Sequence, residues 1–248
     1  MIFKAAIFDL DGVISKTEET HAKAWKKIFD KFLQEHYLQK QREFIEFDLK
    51  LDYLEYVDGR PRSEGIGNFL KSRGIELPMG SKDSLEDFNT VAGLGLIKDK
   101  EFRRILAKEG VTLYDSTVKL IEQFHDAKLK QFVASSSKNC RRVLKAANLQ
   151  DFFFSIFDGI DLEHNNLPGK PNPALFLKVI EGYDLKPQEC VVFEDSIAGV
   201  KSALSGGFFT IGIDRGNNSE SFKKEGANII VRDLSELEFN SHEEKLSI

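Results

Sequence analysis

Two textures of apolar and polar positions share this chain. In the first, apolar residues come in short unbroken runs, at 5–8, 132–134, 190–193, 208–213 and 229–231. Unbroken runs of this length suit strands covered on both faces, as in a parallel sheet. Helical periods separate the later runs. Asp115 or Ser116 is placed to cap a helix carrying Val118, Ile121 and Phe124. Asn172-Pro173 reads as a cap and a first-turn proline ahead of Leu175, Phe176, Val179 and Ile180. A further helix is expected over 197–205, ended by Gly206-Gly207. Strands alternating with helices predict an α/β fold with a doubly wound parallel sheet.

The second texture runs from about Thr17 to about Leu106 and holds no convincing strand. Ser15 and Glu18 have the spacing of a capping box, and Ala22, Trp25, Phe29, Phe32 and Leu33 share one face of the helix that follows. Shorter helices are expected over 64–72, 82–89 and 99–108, with Gly59, Pro61, Gly74, Pro78 and Gly80 between them. The expected organisation is an α/β core from 1–16 and 107–240, an inserted all-helical domain at 17–106, and a polar tail at 241–248.

Composition narrows this picture without redirecting it. The chain has 248 residues, 41% of them hydrophobic and 21 of them Phe, enough for a sizeable core. A net charge of -5 and the lack of a basic stripe argue against nucleic acid as a partner. Two cysteines, Cys140 and Cys190, do not make a disulfide framework. The opening MIFKAAIFDLDG is too short and too acidic for a signal peptide, and no apolar run approaches a membrane span. A soluble, cytoplasmic protein is expected.

The chemistry starts where the first run stops, in AAIFDLDGVIS. In an open parallel sheet, ligands sit beyond the carboxyl ends of the strands. Asp9 and Asp11 follow the first run, and a spacing of two would point both side chains the same way if the strand continued. Two adjacent carboxylates repel unless a cation neutralises them, and Mg²⁺ suits hard oxygen ligands completed by phosphate and water. A bland alternative is a polar turn with a permissive glycine. Three other segments bear on the choice. VASSSKN brings hydroxyls after a second run, GKPNP puts Lys170 just before a helix, and VVFEDS ends a third run on Glu194 and Asp195. Each has its own bland reading as a cap or a loop residue. All four together at one sheet edge are hard to ascribe to chance.

Asp-x-Asp-Gly-Val, Ser-x-Ser-Lys-Asn, Gly-Lys-Pro and Glu-Asp-Ser, in this order, resemble the four motifs of the haloacid dehalogenase superfamily. Within it the chain is most similar to the β-phosphoglucomutase-like sugar-phosphate branch, over nearly its whole length. The resemblance implies a Rossmann-like core with a helical cap inserted between the first two motifs. It implies Mg²⁺-dependent phosphoryl transfer through an aspartyl-phosphate. Asp9 would be the nucleophile and Asp11 the general acid and base. Ser135 would donate to the phosphoryl group, and Lys170 would offset charge on Asp9. Asp9, Asp11 through its backbone carbonyl, Glu194 and Asp195 would hold the metal. Backbone N–H groups around Leu10 and Gly12, and the loop of Ser136, Ser137, Lys138 and Asn139, would contact phosphate or substrate.

Thr17, His21 and Trp25 in KTEETHAKAW match that branch near the start of its cap. By the same resemblance Arg62 would take a second phosphate, with Arg60 as competitor, and Lys98 would face the sugar. Bland readings make Trp25 a core anchor, His21 a hinge residue and Lys98 a solvated helix-start lysine. Gly65 and Lys16 depart from the branch's pattern, and the cap is longer. The expected activity is that of a sugar-phosphate phosphatase, with a β-phosphoglucomutase as alternative and a non-catalytic phosphosugar binder as a distant one. The expected partner is a small sugar phosphate, and the resemblance implies a monomer.

Overall fold

Six parallel strands form one sheet: β1 (Ala5–Phe8), β2 (Lys130–Ala134), β3 (Ser155–Phe157), β4 (Cys190–Glu194), β5 (Phe209–Ile213) and β6 (Ile229–Val231), in the order β3-β2-β1-β4-β5-β6. The structure, a computed structural model, describes residues 3–81, 86–216, 218–240 and 245–247. It divides into two units, Met1–Lys16 with Val111–Ile248, and Thr17–Gly110.

In the first unit every residue of β1 and of β4 is buried, as an unbroken apolar run between two helical layers requires. Ala5 and Ile7 join Phe132, Cys190, Val192 and the helical Leu175, Phe176 and Val179 on one face. Phe8 stacks on Phe193 at 4.7 Å and meets Phe124 at 6.1 Å on the other. The helices of this unit are α4 (Asp115–Asp126), α5 (Cys140–Ala146), α6 (Gly159–His164), α7 (Ala174–Val179), α8 (Ile197–Ser205) and α9 (Ser219–Glu225). The strand order reverses at β1, because the chain runs from β1 outward through β2 and β3, then returns to β4 on the other side. Such a reversal opens a crevice beyond the carboxyl ends of the two strands that flank it. Phe8 is in register with Phe193, so the residues after β1 and at the end of β4 are neighbours.

The second unit holds α1 (Thr17–Gln39), α2 (Arg62–Ser72) and α3 (Val91–Glu109), with a single π-helical turn at Tyr53–Val57. Trp25, Phe29, Phe32 and Leu33 of α1 pack with Phe47, Ile66, Phe69 and Leu94 in a core of its own. Ala22 is only half-buried, whereas Ala24 is buried. The chain leaves the first unit at Lys16 and re-enters it at Val111. There the Lys16 N–H donates to the Thr112 carbonyl at 2.8 Å.

Several local expectations are corrected. Helix α3 starts at Val91, where the Thr90 hydroxyl accepts from the Gly93 N–H, and runs on to Glu109. The inserted unit therefore ends at Gly110 instead of 106. Of the helix expected over 82–89, residues 82–85 lie outside the described residues, and 86–89 form a non-helical loop whose Asp87 carboxylate accepts from Asn89 and Thr90. Tyr114, not Asp115 or Ser116, is the cap residue of α4, and the Ser116 hydroxyl donates instead to Asp233. The C-terminal stretch read as a polar tail contains β8 (Lys245–Ser247), antiparallel to β7 (Glu238–Asn240), with Leu246 buried. β3 carries too mixed a sequence, Ser-Ile-Phe, to stand out as a run.

Candidate active site

The first unit gathers its chemistry beyond β1 and β4. Asp9 continues β1, its N–H donating to the Phe193 carbonyl at 3.0 Å, and its side chain is buried. The chain then turns sharply. Ile14 and Ser15 N–H groups both donate to the Leu10 carbonyl at 2.9 Å, and the Gly12 N–H donates to the Ser15 carbonyl at 2.8 Å. The Leu10 side chain is in the core, and Asp11 is half-buried. Gly12 makes the turn with φ +79, a conformation most side chains resist. A Cβ there would lie 1.7 Å from Oδ2 of Asp195. The absent side chain is the space in which Asp195 sits, so the end of β4 is seated on the loop after β1.

Lys170 lies between these elements, 1% exposed. Its ammonium donates to Oδ1 of Asp9 at 2.7 Å and to Oε1 of Glu194. Burial works against the charge on Lys170, but Asp9 and Glu194 more than offset it and hold the pKa well above that of an ordinary lysine. Burial pushes the Asp9 carboxyl up, opposed by Lys170 and reinforced by Glu194 and Asp11. Two carboxylates on one ammonium leave this buried group a positive charge short.

The other Glu194 oxygen accepts from the Ser196 N–H at 2.8 Å and the Ser196 hydroxyl at 3.0 Å. Both oxygens of Glu194 are therefore engaged, in the place where the resemblance puts a metal ligand. Among the described residues no three His, Cys, Asp or Glu side chains are gathered so as to hold a metal ion by themselves. The donor set still fits Mg²⁺. This ion commonly takes one or two carboxylates, with water and substrate phosphate completing its shell. Asp9 and Asp195 are hard oxygen donors on adjoining strand ends, and the Gly12 cradle brings Asp195 to the loop of Asp11.

Beyond β2, Ser135 is 1% exposed and its Oγ accepts from the Ser137 N–H at 3.1 Å. The Ser137 Oγ accepts from the Asn139 N–H at 3.3 Å, so the serines shape a turn ahead of α5. Ser136 lies in the same turn, its carbonyl against Gly159 at the start of α6. Lys138 pairs with Glu163 at 2.9 Å.

The second unit carries its own polar cluster. Lys98, 2% exposed, contacts Nδ1 of His21 and lies 4.7 Å from the centre of the Trp25 ring and 5.1 Å from that of Phe102. His21 stacks on Phe102 at 4.1 Å. Lys98 is thus a buried cation in an aromatic box, not a solvated helix-start lysine. Arg62 donates to Asp99 at 2.6 Å and to the Gly95 carbonyl at 3.1 Å, and Arg103 shares Asp99. Thr17 is buried at the start of α1, and Arg60 stays half-exposed before α2.

Sequence reading missed Arg215, whose Nε donates to the Gly12 carbonyl at 3.0 Å. The signal was available, since Asp214-Arg215 directly follows the fourth apolar run and lies at the same strand edge.

The chain is similar to known proteins over most of its length. A family model described as a haloacid dehalogenase-like hydrolase matches residues 3–207. A beta-phosphoglucomutase of Mycobacterium bovis is 37% identical over 238 residues, covering 94% of this chain and 91% of that protein. A phosphorylated carbohydrates phosphatase of Thermotoga maritima is 26% identical, covering 82% of each. The crystal structure of beta-phosphoglucomutase from Clostridium difficile superposes with a TM-score of 0.75 at 26% identity, covering 96% of this chain and 94% of that one.

Proposed function

From the premise that this chain belongs to the haloacid dehalogenase-like hydrolases, we propose that it is a Mg²⁺-dependent enzyme of phosphoryl transfer acting on a sugar phosphate. The observation that carries the reading is the buried Asp9–Lys170–Glu194 group, with Asp195 seated on Gly12 beside it. Mg²⁺, when bound, would neutralise the carboxylates and the equatorial phosphoryl oxygens. Asp9, Asp195 and the Asp11 backbone carbonyl are the groups we assign to it, with Glu194 acting through Lys170.

Asp9 attacks phosphorus in line, the bond to the sugar oxygen breaks, and an aspartyl-phosphate forms. Lys170 favours the ionised form of Asp9 against the burial that opposes it, and holds the carboxylate in place. Asp11 gives its proton to the leaving sugar oxygen, then takes one from the next acceptor. Ser135 donates to a phosphoryl oxygen. Among the residues of the second unit, Thr17, His21, Arg62 and Lys98 are those we assign to the substrate. Lys98 on His21 would present a fixed positive charge, and Arg62 a fork suited to phosphate.

Water as the acceptor makes the enzyme a sugar-phosphate phosphatase. A sugar hydroxyl as the acceptor makes it a β-phosphoglucomutase, a second reading favoured by the full-length likeness to proteins of that name. Phosphate release from a sugar-phosphate panel, with Mg²⁺ and with EDTA, tests the chemistry. Conversion of β-glucose 1-phosphate to glucose 6-phosphate separates the two acceptors. Turnover should stop with EDTA and in Asp9→Asn. Turnover surviving Asp9→Asn would refute the aspartyl-phosphate.

A further inference from the structure

Arg215 follows β5 and reaches back to the loop after β1. Its Nε donates to the Gly12 carbonyl at 3.0 Å. Its guanidinium carbon lies 3.6 Å from the centre of the Tyr114 ring, and the Tyr114 N–H donates to the Ile14 carbonyl at 3.0 Å. Its Nη1 donates to the Arg232 carbonyl at 2.9 Å and to Oδ2 of Asp233 at 3.2 Å. That same Asp233 oxygen accepts from the Ser116 hydroxyl at 2.9 Å. One side chain thus ties the ends of β5 and β6 and the start of α4 to the turn that contains Asp11.

The contact falls where the turn has most to hold. Gly12 is in the left-handed region, and its Cα abuts Asp195. Rotation of the Gly12 peptide would move Asp11 on one side and unseat Asp195 on the other. Arg215 is 16% exposed, and its Nη2 is buried without a hydrogen-bond partner. Stacking on Tyr114 and the bond to the Gly12 carbonyl fix the guanidinium in place.

We propose that Arg215 is a positioning residue for phosphoryl transfer, clamping the Gly12 carbonyl so that Asp11 and Asp195 keep their places around Asp9. Its catalytic part rests on the aspartyl-phosphate reading above, and its structural part does not. Native-state hydrogen exchange of the metal-free protein tests the structural part. In Arg215→Met the amides of Gly12, Ile14 and Ser15 should exchange about tenfold faster, with those of β1 and of the second unit unchanged. A uniform rise across the molecule would mean general destabilisation and overturn the clamp.

Steady-state kinetics with Mg²⁺ and a turned-over sugar phosphate test the catalytic part. In Arg215→Met kcat should fall about 10- to 100-fold with KM within about threefold, since small misplacement of reacting groups has that order of effect. Arg215→Lys should recover part of the loss. A folded Arg215→Met with kcat within twofold of wild type overturns the proposal. Should that variant not fold, Asp233→Asn carries the test, with faster loop exchange and a kcat about threefold lower expected, and no change in either overturning it. A wild type inactive on every sugar phosphate refutes the aspartyl-phosphate reading, while the exchange data still decide whether Arg215 holds the loop.

Discussion

Lys170 has two carboxylates on its one ammonium and almost no contact with water. Removing one partner of a buried ion pair costs about 3–5 kcal/mol, because the charge left behind has no water to solvate it. Here two would be left. Lys170→Met should therefore lower stability by at least about 3 kcal/mol, read from denaturant midpoints, and abolish turnover. Gly12 fails differently. Alanine would bring about 1–2 kcal/mol of left-handed strain, and its methyl would occupy the place of the Asp195 carboxylate. Gly12→Ala should still fold. Its turnover should fall about 100-fold, and a Mg²⁺ titration of activity should show half-activation at a higher concentration.

At the scale of elements, the acid limb of stability has an identifiable contributor where β6 ends. Burial opposes the Asp233 carboxylate, yet hydrogen bonds from Ser235 and Ser116 and the Arg215 guanidinium bring its pKa down to about 2. A folded value below the unfolded one stabilises the protein above about pH 4, and that contribution is lost as pH falls toward 2. The group is 38% exposed, so the effect is about 1 kcal/mol. Asp233→Asn should flatten the melting-temperature profile between pH 4 and 2. Elements were legible in the sequence where burial on both faces forced unbroken apolar runs, as in β1 and β4. β3 and β8 were not, because edge strands need fewer apolar residues. Asp9 and Asp195 could be found because acidic residues closing an apolar run are conspicuous, and Lys170 because Gly-Lys-Pro stands directly before a helix. The engagement of Glu194 by Ser196 could not, since a glutamate's partners are set by the turn that follows it. Gly199 lets that turn close, its Cα so near Glu194 that a Cβ would fall 1.8 Å from the carboxylate.

At the scale of the whole molecule, the two units divide the labour we propose, with the reaction in one and selectivity in the other. Arg62→Ala should reduce kcat/KM for a sugar phosphate about 10- to 100-fold and leave a small aryl phosphate within about twofold. Equal losses on both would take Arg62 out of substrate binding. Asp99 already holds Arg62 and Arg103 together, so removal of Arg62 need not strand a buried carboxylate. The inserted unit enters and leaves through a single point, where Lys16 and Thr112 are joined by one backbone hydrogen bond. The severed ends of the α/β unit would thus already be within bridging distance of each other. Everything from Thr17 to Gly110 is inserted between β1 and β2 without interrupting a strand of the sheet, so on the proposed division of roles a lineage can exchange selectivity there and keep the residues of the reaction.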